Sequence, residues 1–573
     1  MRIAVIKESE CQAPENCDYI CAEVCPRVRE GAKETVYARE NGKAAITESL
    51  CISCGICVKR CPFDAIRIIN LPDEMMKDVT FQYGINTFRT FNIATPIAGK
   101  VLGLIGRNGI GKTTNINLIS GSIKPNFGEY KKEFTDTEII RRFRGKDIQP
   151  FLEKLYSGTL RIAKKPQEFT INGHVREYLK KDRFGIVGQE ILGKEASVLS
   201  GGESQLVEIA RTMDEEEDTY IFDEPMNYLD VFNRIKVAQM IKEKLKDKTV
   251  VLVEHDLIML DYMADFIQIL YGSDSNYGIV SHIMPTRNGI NNYISGYLPT
   301  ENVRFREYQI KIKKTANLEG KKTAFKWPDF SVDLGNFRLD VSAGSISEGE
   351  IVGIIGRNGI GKSTFIKALA GLVKTSLGDL DFGARIAYKP QINRKGRSMT
   401  VDEAFEVVKA GYLEDEGINT IINKLEVRGL LKKKLETLSG GETQKVAIIS
   451  TIMKDADIFL FDEPSASLDV EDRLEVLSII SSFMSSKEKC GLIVDHDILF
   501  LDSVCSRSIL FDGVPGAEGK TRGITTTRNA INEFLKGVDV TMRRDSESGR
   551  PRINQKGSRL DKEQKTRGVY FED

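Results

Sequence analysis

Two copies of one glycine-rich loop stand 250 residues apart in this chain, GRNGIGKT at 106–113 and GRNGIGKS at 356–363. Each closes a short apolar run, LGLI before the first and VGII before the second. Each is followed by an LSGGE segment and by an apolar run ending in Asp-Glu-Pro. Glycine lets backbone N–H groups reach phosphate oxygens, and the helix fed by the loop adds partial positive charge at its N-terminus. The pattern predicts a multidomain α/β protein with two P-loop units. The nucleotide-contacting residues are then Gly106, Asn108, Gly109, Gly111, Lys112, Thr113 and Thr114, with Gly356, Asn358, Gly359, Gly361, Lys362, Ser363 and Thr364 in the second copy. Lys112 and Lys362 suit the β- and γ-phosphates, and Thr113 and Ser363 suit Mg²⁺.

The acidic strand ends supply the remaining chemistry. TYIFDEP places Asp223 and Glu224, and IFLFDEP places Asp462 and Glu463, at the ends of buried runs. The aspartate suits Mg²⁺ and the glutamate suits polarising the attacking water. VVLVEHD and LIVDHD end further strands in His255 and His496, two of only four histidines, placed to sense the γ-phosphate. KPQ occurs twice, giving Gln167 and Gln391 as contacts for Mg²⁺ and water.

At 573 residues the chain is long enough for three or four domains. Hydrophobic content of 41% and charged content of 29% fit a globular protein. Basic and acidic side chains balance at 82 each, so net charge is neutral on a nucleic-acid partner. No apolar run approaches the roughly 20 residues that span a bilayer, and MRIAVIKESE lacks the apolar core of a signal peptide. The expectation is a soluble, cytoplasmic protein without a membrane partner.

Eight of the ten cysteines precede residue 62. Residues 51–62, CISCGICVKRCP, read Cys-x2-Cys-x2-Cys-x3-Cys-Pro, the spacing with which bacterial ferredoxins hold 4Fe–4S cubes. Cys11, Cys17, Cys21 and Cys25 form an upstream partner, again followed by proline. Crossed ligation assigns Cys51, Cys54, Cys57 and Cys25 to one cube and Cys11, Cys17, Cys21 and Cys61 to the other. Structural zinc is the competing reading of four thiolates, which the ferredoxin spacing disfavours. A head of about 75 residues has little core of its own, so the cubes are expected to staple it.

LSGGESQ (199–205) and LSGGETQ (438–444) resemble the signature loops of ATP-binding-cassette ATPases, and the motif set resembles that superfamily in order and spacing. The resemblance implies a head-to-tail sandwich in which each ATP is held by the glycine-rich loop of one half and the signature of the other. Ser200, Gly201 and Gly202, and Ser439, Gly440 and Gly441, would offer hydroxyl and amide donors to a γ-phosphate. Tyr83 is the candidate for stacking on the first adenine and Trp327, more weakly, for the second; a place in the core is the equal alternative for either aromatic. The loops after Asp-Glu-Pro differ: Asn227 stands where the superfamily usually has serine.

Lys112 to Gln167 spans 55 residues but Lys362 to Gln391 only 29, exposing an insertion at 139–165 with eight Lys/Arg against two Asp/Glu. It reads as two short helices about Gly145, near 135–162, and as an RNA-contacting arm; a solvated helix face is the alternative. TRNGINNYISG (286–296) and TRNAINEFLKG (527–537) form a second repeat, read as hinges between the halves. Residues 541–567 carry nine basic and four acidic side chains, suited to a phosphate-rich surface or to a flexible tail.

A double ferredoxin motif, two cassettes, the insertion and paired hinges together resemble the ribosome-recycling ATPase family also known as the RNase L inhibitor proteins, from Met1 to the terminal VYFED. The resemblance divides the chain into a ferredoxin-like α+β iron–sulfur domain (1–75), a first nucleotide-binding domain (76–285), hinge 1 (286–310), a second nucleotide-binding domain (311–520) and hinge 2 (521–573). It implies ATP, Mg²⁺ and two 4Fe–4S clusters, and ATP-driven splitting of ribosomes after termination or rescue. The implied partners are the small ribosomal subunit with its rRNA and a release factor or its rescue paralogue, met by a monomer that pairs its cassettes internally. One departure is the head, where five residues, QAPEN, separate Cys11 from Cys17 and the family usually has four. An ATPase subunit of a membrane transporter, an ATP-gated electron donor and an assembly scaffold on RNA are the rival readings.

Overall fold

A computed structural model describes every residue except 1, 8, 9, 49, 64, 71–77, 311–321, 381, 392–397 and 573. The expected junctions at 75/76 and 310/311 lie at segments outside the described residues. The two halves share one sheet order. In the first, Ile162–Lys165, Thr219–Asp223, Thr249–Val253, Val101–Ile105 and Phe266–Ser273 run parallel, followed by Tyr277–Val280, Arg89–Phe91 and Val79–Gln82. The second repeats this with Ile386–Lys389, Ile458–Asp462, Cys490–Val494, Ile351–Ile355, Arg507–Val514, Glu518–Thr526, Arg338–Val341 and Phe330–Asp333. VLGLI and IVGII are buried at all five positions, as a central parallel strand covered on both faces requires. The glycine-rich loops leave the carboxyl ends of these strands, where open α/β sheets bind ligands.

The head is small. Arg2–Ile6 pairs antiparallel with Ile66–Asn70, and Val36–Ala38 with Ala44–Ile46. Its apolar core is little more than Ala4, Ile6, Val36, Ala44, Ile46, Ala65 and Ile66 packed among cysteines. Among its contacts with the first half is one buried side chain: Asn86 accepts from Ile46 N–H at 2.6 Å and donates to the Ala4 carbonyl at 3.2 Å. Beside it the buried Arg89 pairs with Glu48 at 2.5 Å.

The insertion forms helices Asp136–Arg142 and Gln149–Tyr156 about Gly145, whose φ of +80° suits glycine. A capping box between Thr135 and Glu138 starts the first. Ile139, Phe143, Ile148 and Leu152 bury one face against the first half, leaving Arg141, Arg142, Arg144, Lys146, Lys154 and Arg161 exposed. Two of the eight basic residues do not belong to this arm. Lys164 and Lys165 lie in the strand Ile162–Lys165, and Lys165 is buried.

The segment expected as hinge 1 forms the helix Thr286–Ser295 and the short pair Tyr297–Leu298 with Val303–Arg304. Residues 521–526, expected to open hinge 2, instead complete the sheet strand Glu518–Thr526; the repeat helix then spans Thr527–Gly537. The arginine-rich tail is folded too, as strands Met542–Arg544, Pro551–Ile553 and Phe571–Glu572 with the helix Arg559–Arg567. Its arginines are largely engaged within the protein. Arg544 grips Asp502 of the second half at 2.6 and 2.9 Å, and Arg552 grips the equivalent Asp261 of the first at 2.5 Å. Arg287 of hinge 1 reaches Asp545 of hinge 2 at 3.0 Å. One apolar cluster continues through this region, from Leu260 and Ile290 to Leu501, Ile531 and Phe571.

Leu152→Ala is expected to destabilise the first half by about 2–5 kcal/mol, because it opens a cavity under the insertion. Arg144→Ala, at an exposed position, is expected to cost less than about 0.5 kcal/mol. Chemical denaturation followed by circular dichroism distinguishes them, and equal effects would mean that the insertion is not anchored this way.

Candidate active site

Both glycine-rich loops are held open by their own lysine. Lys112 Nζ donates to the carbonyls of Gly106 and Arg107, each at 2.8 Å, and lies 3.4 Å from Asn108 Oδ1. Lys362 repeats this with Gly356 at 2.9 Å, Arg357 at 2.5 Å and Asn358 at 3.4 Å. Burial lowers the pKa of both ammonium groups, that of Lys362 to about 8. The loops need glycine where they turn into helices Lys112–Ile119 and Lys362–Leu369. Gly111 and Gly361 have φ of +96° and +92°, and a Cβ there would sit 2.4 Å from Phe88 or 2.9 Å from Phe337. Thr113 and Thr114, and Ser363 and Thr364, fall in the first helical turns.

The acidic residues gather at the adjacent strand ends. Glu224 and Glu463 both adopt left-handed backbone, φ +48°, with N–H groups donating to Val253 and Val494 carbonyls at 2.9 and 2.8 Å. Such strain persists only where surroundings fix it, and it clusters at functional sites. Gln167 Nε2 donates to Glu224 at 3.0 Å, and His255 Nε2 lies 3.4 Å from the same carboxylate. Gln391 and His496 stand alike around Glu463, at 3.0 and 3.3 Å. Burial raises the Glu224 and Glu463 carboxyls, but the histidine and the loop lysine outweigh it and hold each at about 2. Asp223 is pushed up to about 6 by burial and by Glu224, and Asp462 is raised for the same reasons. Both oxygens of Asp462 are buried without a well-formed hydrogen bond, although the Ser363 hydroxyl lies near enough to lower its pKa. An orphaned buried carboxylate beside Ser363 fits a divalent cation.

The sites are composite. A cavity of about 580 Å³ is lined by Tyr83, Asn108, Gly109, Gly111, Lys112, Thr113, Thr114, Gln167, Glu224 and His255 of the first half, and by Ser439, Gly440 and Gly441 of the second. Across the pseudo-twofold, a Cβ on Gly202 would stand 3.9 Å from Asn358 Nδ2. Ser200 caps the helix Gly201–Asp214, and Ser439 caps Gly440–Ile452, each in a box with the glutamate three residues on. Asn108 N–H donates to Asp469 at 2.9 Å, and Asn358 N–H to Asp230 at 2.6 Å.

Tyr83 is half-exposed at the first cavity, its hydroxyl 3.2 Å from that of Thr114. Trp327 does not stand at the second site. It is 3% exposed, packs over Gly344 among Phe325 and Phe365, and donates Nε1–H to the Ser342 carbonyl at 3.0 Å. The equivalent of Tyr83 is Leu334, which is also half-exposed: Tyr83 N–H and Leu334 N–H bond the carbonyls of Phe88 and Phe337. Two further pairs were not foreseen. Lys165 and Lys389 brace the strand ends, donating to the Asp223 and Asp462 carbonyls at 2.8 and 2.7 Å; the signal lay in the lysine of the repeated KPQ. Arg234 and Arg473 pair with Asp256 and Asp497 at 3.0 Å and point at the carbonyls of His496 and His255 of the opposite half.

In the head, Cys11, Cys17, Cys21 and Cys61 line one cavity and Cys25, Cys51, Cys54 and Cys57 another. Between Cys11 and Cys17 the chain makes a turn closed by Asn16 N–H on the Gln12 carbonyl. Burial and neighbouring cysteines push the Cys21 thiol up to about 12 and Cys57 to about 11. Such thiols ionise together only around positive charge. Four cysteines line each cavity, and the ferredoxin spacing of residues 51–62 favours a cube over a single zinc.

Tyr83→Ala is expected to weaken ATP binding at the first site, by roughly 1–3 kcal/mol for a lost base–aromatic stack. Trp327→Phe is expected to leave the second site's affinity unchanged while lowering thermal stability. Fluorescent-nucleotide titration with the other site disabled measures both, and a weakened second site in Trp327→Phe would restore that residue to nucleotide binding.

Comparison with known proteins agrees with this geometry. The ABC transporter family model matches residues 94–227 and 339–466, and the 4Fe-4S binding domain model matches 44–67. Among the described residues no helix is long and apolar enough to cross a membrane. "Translation initiation factor RLI1" of Saccharomyces cerevisiae is 38% identical over 100% of this chain and 98% of its own length. "ABC transporter E family member 1" of Arabidopsis thaliana is 37% identical over 100% and 98%. A solved structure described as "Model of ribosome-bound archaeal Pelota and ABCE1" superposes with a TM-score of 0.91 at 40% identity, covering 100% of this chain and 99% of that one. A complex of an archaeal ribosomal stalk protein with an archaeal ribosome recycling factor gives 0.81 at 39%, covering 87% and 100%. The chain therefore belongs to the E family of ATP-binding-cassette proteins, the RNase L inhibitor family, and is an ATPase with a 4Fe–4S binding domain.

Proposed function

We propose that this ATPase splits ribosomes into subunits after termination or rescue and stays on the small subunit, in the cytoplasm. The single observation that carries the mechanism is the composite cavity, where the glycine-rich loop of one half faces the signature of the other. Donors from the opposite half reach a γ-phosphate only when the halves are shut, so ATP binding favours closure and hydrolysis releases it. Driving such a switch from mostly open to mostly shut takes roughly 5 kcal/mol of differential binding. The relatives' association with the ribosome, with Pelota and with the stalk supports the reading of what the motion acts upon. The small subunit's rRNA is the proposed surface for the exposed Arg141, Arg144, Lys146 and Lys154. A release factor or its rescue paralogue is the proposed partner of the head, and the protein works as a monomer.

Within each site the proposed roles are these, and the geometry supports them. Lys112 and Lys362 turn from their loop carbonyls to the β- and γ-phosphates. Glu224 and Glu463, held ionised, orient the attacking water and accept its proton. Gln167 and Gln391 fix that water from the other side. His255 and His496 report the γ-phosphate to the carboxylate they touch. Thr113, Asp223 and Gln167, and Ser363, Asp462 and Gln391, are the proposed Mg²⁺ ligands; the ion would neutralise charge on the β- and γ-oxygens. Two 4Fe–4S cubes, one in each cysteine set, would brace a head whose own core is too small to be rigid.

Glu224→Gln with Glu463→Gln is expected to leave ATP bound and the halves shut. Sucrose gradients of intact ribosomes with ATP, release factor and this variant should show at most a single round of splitting, with the protein retained on small subunits. Full multiple-turnover splitting by the double variant would overturn the assigned roles.

A further inference from the structure

The two signature helices are capped alike, but among the described residues only one of them is wired to the head. In each, the glutamate of the capping box turns its second oxygen to a lysine nine residues upstream. Lys194 meets Glu203 at 2.7 Å in the first half, and Lys433 meets Glu442 at 3.2 Å in the second. Among the described residues Lys194 has Glu203 as its ion-pair partner, whereas Lys433 also reaches Glu10 of the head at 3.5 Å. Glu10 stands directly before Cys11, is nearly buried, and is steadied by Lys7 at 2.6 Å. The adjacent Lys432 donates to the Pro62 carbonyl at 3.3 Å and lies over the Phe63 ring, just after Cys61. Cys11 and Cys61 line the same cavity. Two consecutive lysines of the second half therefore grip both ends of one cysteine set.

We propose that Lys433 is a positioning residue that latches the iron–sulfur head to the signature of the second half, through Glu10 on one side and the Glu442–Ser439 cap on the other. One ammonium is shared between two carboxylates, so what the head takes, the cap loses. The Glu442 carboxylate accepts from Ser439 N–H at 2.8 Å, and Glu442 N–H donates to Ser439 Oγ at 3.2 Å. Ser439 belongs to the cavity that carries Lys112 and Glu224. The position of the head is thus coupled to the first ATP site and not to the second. This rests on the reading that ATP is shared between the halves, but it does not depend on ribosomes being the target.

The test uses the full chain with its cysteines loaded, without ribosomes. Hydrogen–deuterium exchange is followed in peptides covering 428–434 and 59–63. Glu10→Gln and Lys433→Met are expected to raise exchange there by roughly threefold, the size of an exposed ion pair. Lys433→Arg is expected to restore protection, and Lys194→Met to leave it unchanged. ATP affinity is then measured with one site disabled at a time, by Lys362→Met or Lys112→Met. Glu10→Gln is expected to alter affinity at the first site alone. Unchanged exchange in Glu10→Gln, or an equal change at both sites, would overturn the latch.

Discussion

Each half lends a carboxylate to the other's phosphate loop, and the rest of the architecture depends on this exchange. Asp469 receives the Asn108 amide and Asp230 the Asn358 amide, so each loop is shaped partly by the opposite half. Burial alone would raise the Asp469 carboxyl; His255, the amides of Asp472 and Asn108, and Lys112 hold it low instead. Beneath it, Arg234 and Arg473 cross towards the histidine loops, and Asp256 and Asp497 face one another closely enough for Asp497 to help raise the Asp256 pKa. Removing one partner of such a buried pair costs about 3–5 kcal/mol, because the remaining charge stays desolvated. The ion pairs Arg234–Asp256 and Arg473–Asp497 each lie within a single half; what separation breaks is the two amide–carboxylate bonds and the two arginine–carbonyl contacts between the halves.

The pseudo-twofold is imperfect where the two sites would have to differ. Arg107 of the first loop sits among Asp274, Glu426 and Glu471, and Arg306 of hinge 1 shares Glu471 at 2.9 Å. Its counterpart Arg357 lies instead over the ring of Phe232, 4.3 Å from the centroid. The first contact is ionic and is weakened by salt; the second is a cation–π contact on an apolar surface. Asn227 adds a donor to Glu224, whereas Ala466 at the equivalent place adds none to Glu463. Head, hinge 1 and ionic contact all gather on the side of the first site.

Most of this was legible because the chain states it twice. Glycine, lysine and the Asp-Glu pairs recur at matching spacing, and a repeat of that length removes chance as an explanation. The crossed grouping of cysteines followed from ferredoxin spacing and agrees with the two cavities. Misreadings came where type and position part company. Trp327 is aromatic and near the right place in the sequence, but a buried indole with its N–H satisfied belongs to the core; the exposed position is Leu334. The basic count of the insertion included Lys164 and Lys165, since a charge tally is blind to the strand that turns Lys165 inward. The arginines of 541–567 read as a phosphate surface because the aspartates they grip, Asp261 and Asp502, lie far away in sequence. Arg234, Arg473 and Lys433 left no local signal, being meaningful only once the halves are paired.

The central claim is that one ATP is held by two halves, and it can be tested covalently. An ATP analogue carrying photoreactive groups on both the adenine and the γ-phosphate would be bound to the intact protein, irradiated, and its cross-linked peptides mapped by mass spectrometry. The account predicts peptides joining Tyr83 of the first half to residues 439–441 of the second. Cross-links whose two ends both fall within a single half would contradict it.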